Sequence, residues 1–169
     1  MAADPEDFRQ KVAALLPQLR RFALALARTP HDADDLVQSA IERALARQEQ
    51  WKPDTRLDSW MYRIVQNLWI DQTRQGRRRA AEPIEEAHAL AGEDGRDITE
   101  RRLMLQAAKA AFDRLQPEMR AAASLVILNG MSYRDAAEAL DVPIGTIMSR
   151  VSRSRRSLEE ALRPGEAAP

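Results

Sequence analysis

Apolar positions recur along this chain at steps of three and four, the signature of helices that bury one stripe. The first such run, Glu6 to Arg28, carries Phe8, Val12, Leu15, Leu19, Phe22 and Leu26. Pro17 falls inside it, and because proline is tolerated in a first helical turn it predicts a second helix starting there. Thr29-Pro30-His31-Asp32 reads as a break. A helix from Asp32 to Gln48 follows, with Leu36, Val37, Ala40, Ile41, Ala44 and Leu45 as its seam and acids at the positive end of its dipole. Trp51 to Arg56 reads as a loop. Asp58 or Ser59 can cap a third long helix to Gln75, with Gly76 at its C-cap. In the second half, helices are predicted at Thr99–Arg114, Glu118–Leu128, Ser132–Leu140 and Ile144–Leu162. Strand signals, meaning β-branched alternation between turn clusters, are absent.

Between the two helical groups, residues 80–97 hold Pro83, Gly92 and Gly95 and little apolar periodicity. The expected organisation is all-α: one small domain over 1–79, a linker over 80–98, a second domain over 99–163 and a disordered tail over 164–169.

Composition narrows the function classes. The chain has 169 residues, with 26 Lys+Arg against 26 Asp+Glu and no cysteine. Disulfides, thiolate catalysis and thiol redox switching are therefore excluded, and with His31 and His88 the only histidines a Cys/His zinc site is excluded too. No apolar run approaches the ~20 residues of a membrane helix, and the acidic start lacks the order of a secretory signal. The cytoplasm is the simplest compartment. No phosphate loop, nucleophile–base set or paired carboxylates suggest an enzyme, and neither cofactor, metal nor small-molecule ligand is expected.

The neutral total conceals an uneven distribution. Residues 71–79 carry net +3, residues 80–100 net −6 and residues 143–163 net +3. Two basic patches thus flank an acidic stretch. Only Lys11, Lys52 and Lys109 of the cations are lysine; arginine suits phosphate forks, although a GC-rich genome gives the same bias and is the simpler account.

Ser132 to Arg156 carries the strongest motif. Ser132 with Asp135 makes a near-capping-box start, Ala136 and Ala137 permit a close helix crossing, and Asp141-Val142-Pro143 is a short turn before another helix. This is a helix-turn-helix. On a wheel of ~100° per residue, Ile147, Val151 and Leu158 form the buried side of the last helix. Ser149, Ser152, Arg153 and Arg156 lie opposite, flanked by Arg150 and Arg155. A helix polar and cationic opposite its core stripe fits a DNA major groove. Ser149, Ser152 and Arg153 would reach base edges, while Thr146, Arg150, Arg155 and Arg156 would hold phosphates. The plainer alternative is a solvated helix with ordinary surface arginines.

On the third helix Trp60, Arg63, Asn67, Arg74 and Arg78 project within about 60° of one another. An aromatic, an amide and several guanidiniums on one stripe suit an unstacked base and its backbone. Met61, Ile64, Val65 and Leu68 take the core side. Trp60 taken alone is more simply a packing residue, and Trp51 is either a core plug or the wall of a base pocket.

With these residues in view, the chain resembles an extracytoplasmic-function (ECF, group 4) sigma factor of the sigma-70 family, over nearly its whole length. Asp34-Asp35-Leu36-Val37-Gln38 resembles region 2.2, and Trp51 to Asn67 resembles regions 2.3 and 2.4. Leu115-Gln116-Pro117-Glu118-Met119-Arg120 leading into Pro143-Ile144-Gly145-Thr146-Ile147 is similar to region 4. The resemblance implies that Asp35, Leu36, Gln38, Ser39 and Glu42 grip the clamp helices of the polymerase β′ subunit, with further contact to β. It implies that Asn67, with Trp51, takes a flipped base of the −10 element. Trp60 and Arg63 would line that strand, and Arg74, Arg77, Arg78 and Arg79 would follow its backbone. Met148, Ser149, Ser152 and Arg153 would read the −35 duplex, supported by Thr146, Arg150, Arg155 and Arg156.

The implied partners are core RNA polymerase, promoter DNA and an anti-sigma factor. The chain departs from the family pattern at Met148, where Lys or Arg is frequent, and at Ser39, where an acid is common. Neither region 1.1 nor a folded region 3 is expected. The acidic linker would lie in the RNA-exit path as a nucleic-acid mimic, or serve as a plain tether. A rival reading is a sigma-like module that titrates an anti-sigma factor without reading DNA. Such modules tend to lose the basic recognition face and carry a receiver domain, whereas this chain keeps Arg153, Arg155 and Arg156 and no receiver is expected. A two-domain repressor would need a dimer surface or ligand pocket that the sequence does not suggest.

Overall fold

The computed structural model describes residues 5–27, 29–79 and 96–163. All regular structure among them is helical. Helix α1 (Pro5–Leu26) is one continuous rod, so the second helix expected at Pro17 does not form. Pro17 lies on the exposed side, close to the exposed Ala13 whose carbonyl loses its partner, and water can satisfy that group. The opposite side, Phe8, Val12, Leu19, Phe22 and Leu26, is buried without interruption and keeps both halves in line.

Helix α2 (Pro30–Ala46) starts two residues earlier than the sequence suggests. The Thr29 hydroxyl accepts the Asp32 backbone N–H at 3.1 Å, and Pro30 occupies the first turn, where its missing N–H costs nothing. Its seam is as expected except at Leu45, which is exposed, and Ile41, which is half-buried. A 3₁₀ turn (Gln48–Gln50) leads to Trp51.

Helix α3 (Leu57–Arg79) runs through Gly76 instead of ending there. A Cβ on Gly76 would meet nothing within 4 Å among the described residues, and the helix runs on through it, so this glycine marks no turn. The Asp58 carboxylate accepts the Ser59 N–H at 2.7 Å at the helix start. Helices α1, α2 and α3 pack in a three-helix group, with Phe22 edge-on to Tyr62 at 5.2 Å.

The second group begins at Arg96, inside the span expected to be linker; the remainder of that stretch, 80–95, and the tail, 164–169, lie outside the described residues. It comprises α4 (Arg96–Arg114), α5 (Pro117–Ala123), α6 (Tyr133–Leu140) and α7 (Ile144–Leu162). The helix expected at 118–128 is α5 followed by a π-helical turn (Ser124–Leu128). That turn closes through the Met131 N–H on the Leu125 carbonyl at 3.0 Å, with Gly130 at φ +68°, a conformation open mainly to glycine. Ser132 caps α6, accepting the Asp135 N–H at 3.0 Å. Asp141 ends it in the left-handed region at φ 54°, which short polar side chains tolerate. Helix α7 follows at once, packed on α4, α5 and α6.

Ile147 and Val151 are fully buried on α7 and Leu158 is half-buried. The sequence reading missed Ser154, which continues their stripe without being apolar. Its buried hydroxyl donates to the Arg150 carbonyl at 2.8 Å and lies 3.4 Å from the Met119 carbonyl of α5. A small hydroxyl that satisfies itself within its own helix allows α5 and α7 to approach closely.

Candidate polymerase and promoter surfaces

Three surfaces hold the residues singled out in the sequence. The first is the outer side of α2. Asp35, Gln38 and Glu42 form an exposed stripe with Ser39 half-buried beside it, because steps of three and four return to one helix face. Gln38 Nε2 donates to Glu42 Oε1 at 3.2 Å, and His31 Nε2 lies 3.3 Å from Asp35 Oδ2. Leu36 does not belong to this surface. It is 0% exposed on the core side, so it can only support the stripe from beneath. The exposed Leu45 extends the same stripe by three residues past Glu42, an apolar neighbour that the seam pattern had assigned to the core.

On α3, Trp60 and Arg63 are half-buried and Asn67 and Arg74 are exposed. The side chains of Arg77, Arg78 and Arg79 lie outside the described residues, although the helix continues through them. Trp60 meets Phe8 edge-on at 6.2 Å. Trp51 is 6% exposed and packs on Phe8 at 5.6 Å with Lys11 Nζ 5.7 Å over its ring, which makes it a core plug in this conformation and no wall of an open pocket. Arg63 Nη2 donates to the Glu138 carbonyl of α6 at 2.6 Å. Arg56, just before α3, holds Asp58 at 2.6 Å and also Asp135 of α6. Sequence reasoning had no signal for either link, since both join residues far apart in the chain. Burial pushes the Tyr62 hydroxyl beneath this face up to about 12, and it sits 3.4 Å from Gln18 Oε1.

The third surface is α7. Met148, Ser149, Ser152, Arg153, Arg155 and Arg156 are exposed, while Thr146 and Arg150 are half-buried. The Ser149 hydroxyl donates to the Thr146 carbonyl at 3.0 Å. Ile144, 48% exposed, stands one turn before Met148, 53% exposed. The sequence reading names Ile144 only within the block similar to region 4; its one-turn offset from Met148 was the available signal for its place on this surface.

Among the described residues no group of acids and histidines is arranged to hold a metal ion, and no helix is long and apolar enough to cross a membrane.

Two family models match the chain: the Sigma2 domain of PhyR over residues 12–66, and Sigma-70, region 4, over residues 105–158. It is 36% identical to the ECF RNA polymerase sigma factor EcfG of Rhodopseudomonas palustris, covering 93% of this chain and 86% of that one. The chain belongs to the ECF sigma factors. SigM of Mycobacterium tuberculosis is a further ECF relative, 33% identical over 96% of this chain and 80% of its own. Among solved structures, the sigma factor RpoE in complex with the anti-sigma factor NepR from Bartonella quintana superposes with a TM-score of 0.78 at 34% identity, over 95% of this chain and 99% of that one. The PhyRSL–NepR complex from Sphingomonas sp. Fr1 gives a TM-score of 0.67 at 25% identity, over 95% and 92%. An ECF sigma factor binds core RNA polymerase and directs promoter-specific initiation, and its α6–α7 unit is the region 4 helix-turn-helix.

Proposed function

We propose a division of this work among named residues. Residues 1–79 act as region 2 and residues 99–163 as region 4, with 80–98 between them as a linker whose acidity favours the RNA-exit path. Asp35, Gln38, Ser39 and Glu42, backed by Leu36, dock on the β′ clamp. Trp60, Arg63, Asn67, Arg74, Arg77, Arg78 and Arg79 take the −10 strand and its backbone. Met148, Ser149, Ser152 and Arg153 read the −35 duplex, with Ile144 beside them and Thr146, Arg150, Arg155 and Arg156 on phosphates. The protein performs no chemistry of its own and works where the polymerase is, in the cytoplasm.

The observation that carries this reading is the α7 surface. Serines and arginines lie exposed along one side, and Ile147, Val151 and Ser154 are buried on the other. A helix so divided is suited to enter a major groove. An anti-sigma partner of the NepR kind is part of the proposal, supported by the likeness to the RpoE of the RpoE–NepR complex. The exposed Leu103, Met104 and Leu105 of α4 add apolar surface for such a partner.

The test is run-off transcription with purified bacterial core polymerase, comparing wild type with Asp35→Ala and Arg153→Ala. Weakened core binding by the first and mis-targeted initiation by the second are the expected results. A second reading has one observation in its favour, the match of residues 12–66 to the Sigma2 domain of PhyR. It predicts NepR-type binding without any promoter-dependent transcript.

A further inference from the structure

Region 2 and region 4 touch directly in this chain. Helix α3 packs along α6, and α1 packs on α5 and the π-helical turn. One apolar cluster runs across the junction, from Phe22, Tyr62 and Val65 to Ala121, Leu125, Ala136 and Leu140. Arg120 of α5 lies 5.9 Å over the Trp69 ring of α3, while the hydrogen bonds and ion pairs to Arg21, Arg56 and Arg63 share the opposite polarity. Arg21 Nη1 of α1 donates to the Leu128 carbonyl at 3.1 Å. Arg56 binds the Asp135 carboxylate. Arg63 Nη2 donates to the Glu138 carbonyl at 2.6 Å, with Asp141 Oδ1 at 3.9 Å. In each, region 2 supplies a guanidinium and region 4 an anionic or carbonyl oxygen. Glu138 lies in the last turn of α6, at the negative end of that helix dipole.

We propose that α6 is an interaction surface for region 2 that stands in for the −10 strand. Its Glu138 carbonyl occupies the Arg63 guanidinium of the −10 face, and its acidic edge holds Arg56 just before that helix. The inference rests on the reading that the Trp60–Arg63–Asn67 face takes that strand. The Arg63 Nη2 donor that the Glu138 carbonyl engages is not available to a nucleotide, and α6 lies along that side of α3, so closure of the two regions competes with strand binding. Closure also leaves Arg63 Nε buried without a partner among the described residues, a cost that favours a reversible contact. The apparent affinity for single strands is then reduced to the fraction of molecules that are open. Anything that holds the regions apart, as simultaneous binding to separated −10 and −35 elements requires, removes that reduction.

The absence of native cysteine makes a clean test possible. Asp54→Cys and Glu159→Cys, both at exposed positions, take spin labels on region 2 and region 4 of the full chain. The distance distribution and the affinity for a fluorescein-labelled single-stranded DNA of mixed sequence are measured together. The variants are Arg56→Glu, Asp135→Lys and the two combined, each checked for helical content by circular dichroism. Arg56→Glu is expected to broaden the distance and raise DNA affinity roughly five- to tenfold, as the open fraction grows. It does so while making the chain more acidic, so net charge cannot account for the gain. The combined exchange restores the pair with reversed sign and should return both readouts toward wild type. An unchanged distance in both single variants, or a broadened distance with no gain in affinity, overturns the proposal. Adding Asn67→Ala to Arg56→Glu separates the underlying reading: if the distance stays broad and the gained affinity persists undiminished, the assignment of the −10 face fails and the stand-in role falls with it.

Discussion

Arg153 and Ser149 form one unit on the exposed side of α7. Arg153 Nε donates to the Ser149 carbonyl at 3.3 Å, and its Nη2 lies 3.4 Å from the Ser149 hydroxyl. The guanidinium is folded back along its helix and must swing outward to reach a base pair. Arg153→Ala is expected to cost about 1–3 kcal/mol of discrimination at one −35 position, the worth of a bidentate contact. Arg153→Lys should not restore it, because an ammonium lacks the fork. Arg156→Ala should instead weaken all promoters alike and flatten the salt dependence. Competition binding of the holoenzyme to single-position promoter variants distinguishes these outcomes.

Ile144 and Met148 lie one turn apart with about half of each side chain exposed. Apolar atoms at the start of a recognition helix have one specific target in the major groove, the thymine methyl group. Replacing each −35 thymine in turn by deoxyuracil should weaken binding at one position for wild type. The Ile144→Ala, Met148→Ala double variant should no longer distinguish the two bases there. Equal loss in wild type and variant would assign the methyl contact to another residue.

Trp51 shows what burial decides that a motif does not. The ring packs tilted against Phe8 with Lys11 Nζ 5.7 Å from its centre, and its indole N–H is buried without a partner among the described residues. Trp51→Ala should therefore cost about 3–5 kcal/mol of stability, as large aromatic truncations in cores do. Trp51→Phe removes the unpaired N–H while keeping most of the packing, and should leave promoter melting at wild-type level. Denaturant unfolding and permanganate footprinting measure the two effects.

Ser154 faces α5 at a position where the helix period calls for an apolar residue. The room for any larger side chain is set by the Met119 carbonyl, 3.4 Å from its hydroxyl. Ser154→Leu is expected to destabilise by about 1–3 kcal/mol through overpacking, and Ser154→Ala to change little because its hydrogen bond is local. Thermal melts of the two variants check the contrast.

Much of this architecture is legible in residue spacing. The stripes of α1, α2 and α7 follow the sequence pattern, as does the Ser132 cap. The two breaks that do not form share one cause: the continuity of a helix outweighs local punctuation. Pro17 and Gly76 look like breaks, yet α1 is held straight by its apolar side and α3 continues through its glycine. The helix period puts Leu36 in the core seam while the family pattern names it for the polymerase surface, and burial sides with the period; for Trp51, which the sequence leaves open between core plug and pocket wall, burial selects the plug. The contact of α3 with α6 had no sequence signal, since Arg56 and Asp135 belong to separate periodic groups. Opposite charges on two amphipathic surfaces do not by themselves say that the surfaces meet.

The same pair fixes a pH response. Asp135 is held below the ordinary aspartate range, first by hydrogen bonding to Ser132 and then by Arg56. Arg56 is raised above its ordinary value, chiefly by Asp58. A carboxyl depressed in the folded chain contributes stability above its unfolded pKa of about 4, and that contribution is lost as pH falls through the lower folded value. An arginine raised still further stays charged throughout, so it adds no transition in the working range. Asp34, depressed by its hydrogen bond to Arg20, acts in the same direction. The contact between regions 2 and 4 should therefore hold steadily from pH 6 to pH 9 and loosen only below about pH 4, as Asp135 protonates, while Asp34 adds the same acid dependence to region 2 alone. Asp135→Asn should remove part of that acid dependence and leave the neutral plateau flat but lower. Label distances and melting temperatures taken across the acid range would show it; a fall centred near pH 6.5, the ordinary range of histidine, would assign the response to a different group.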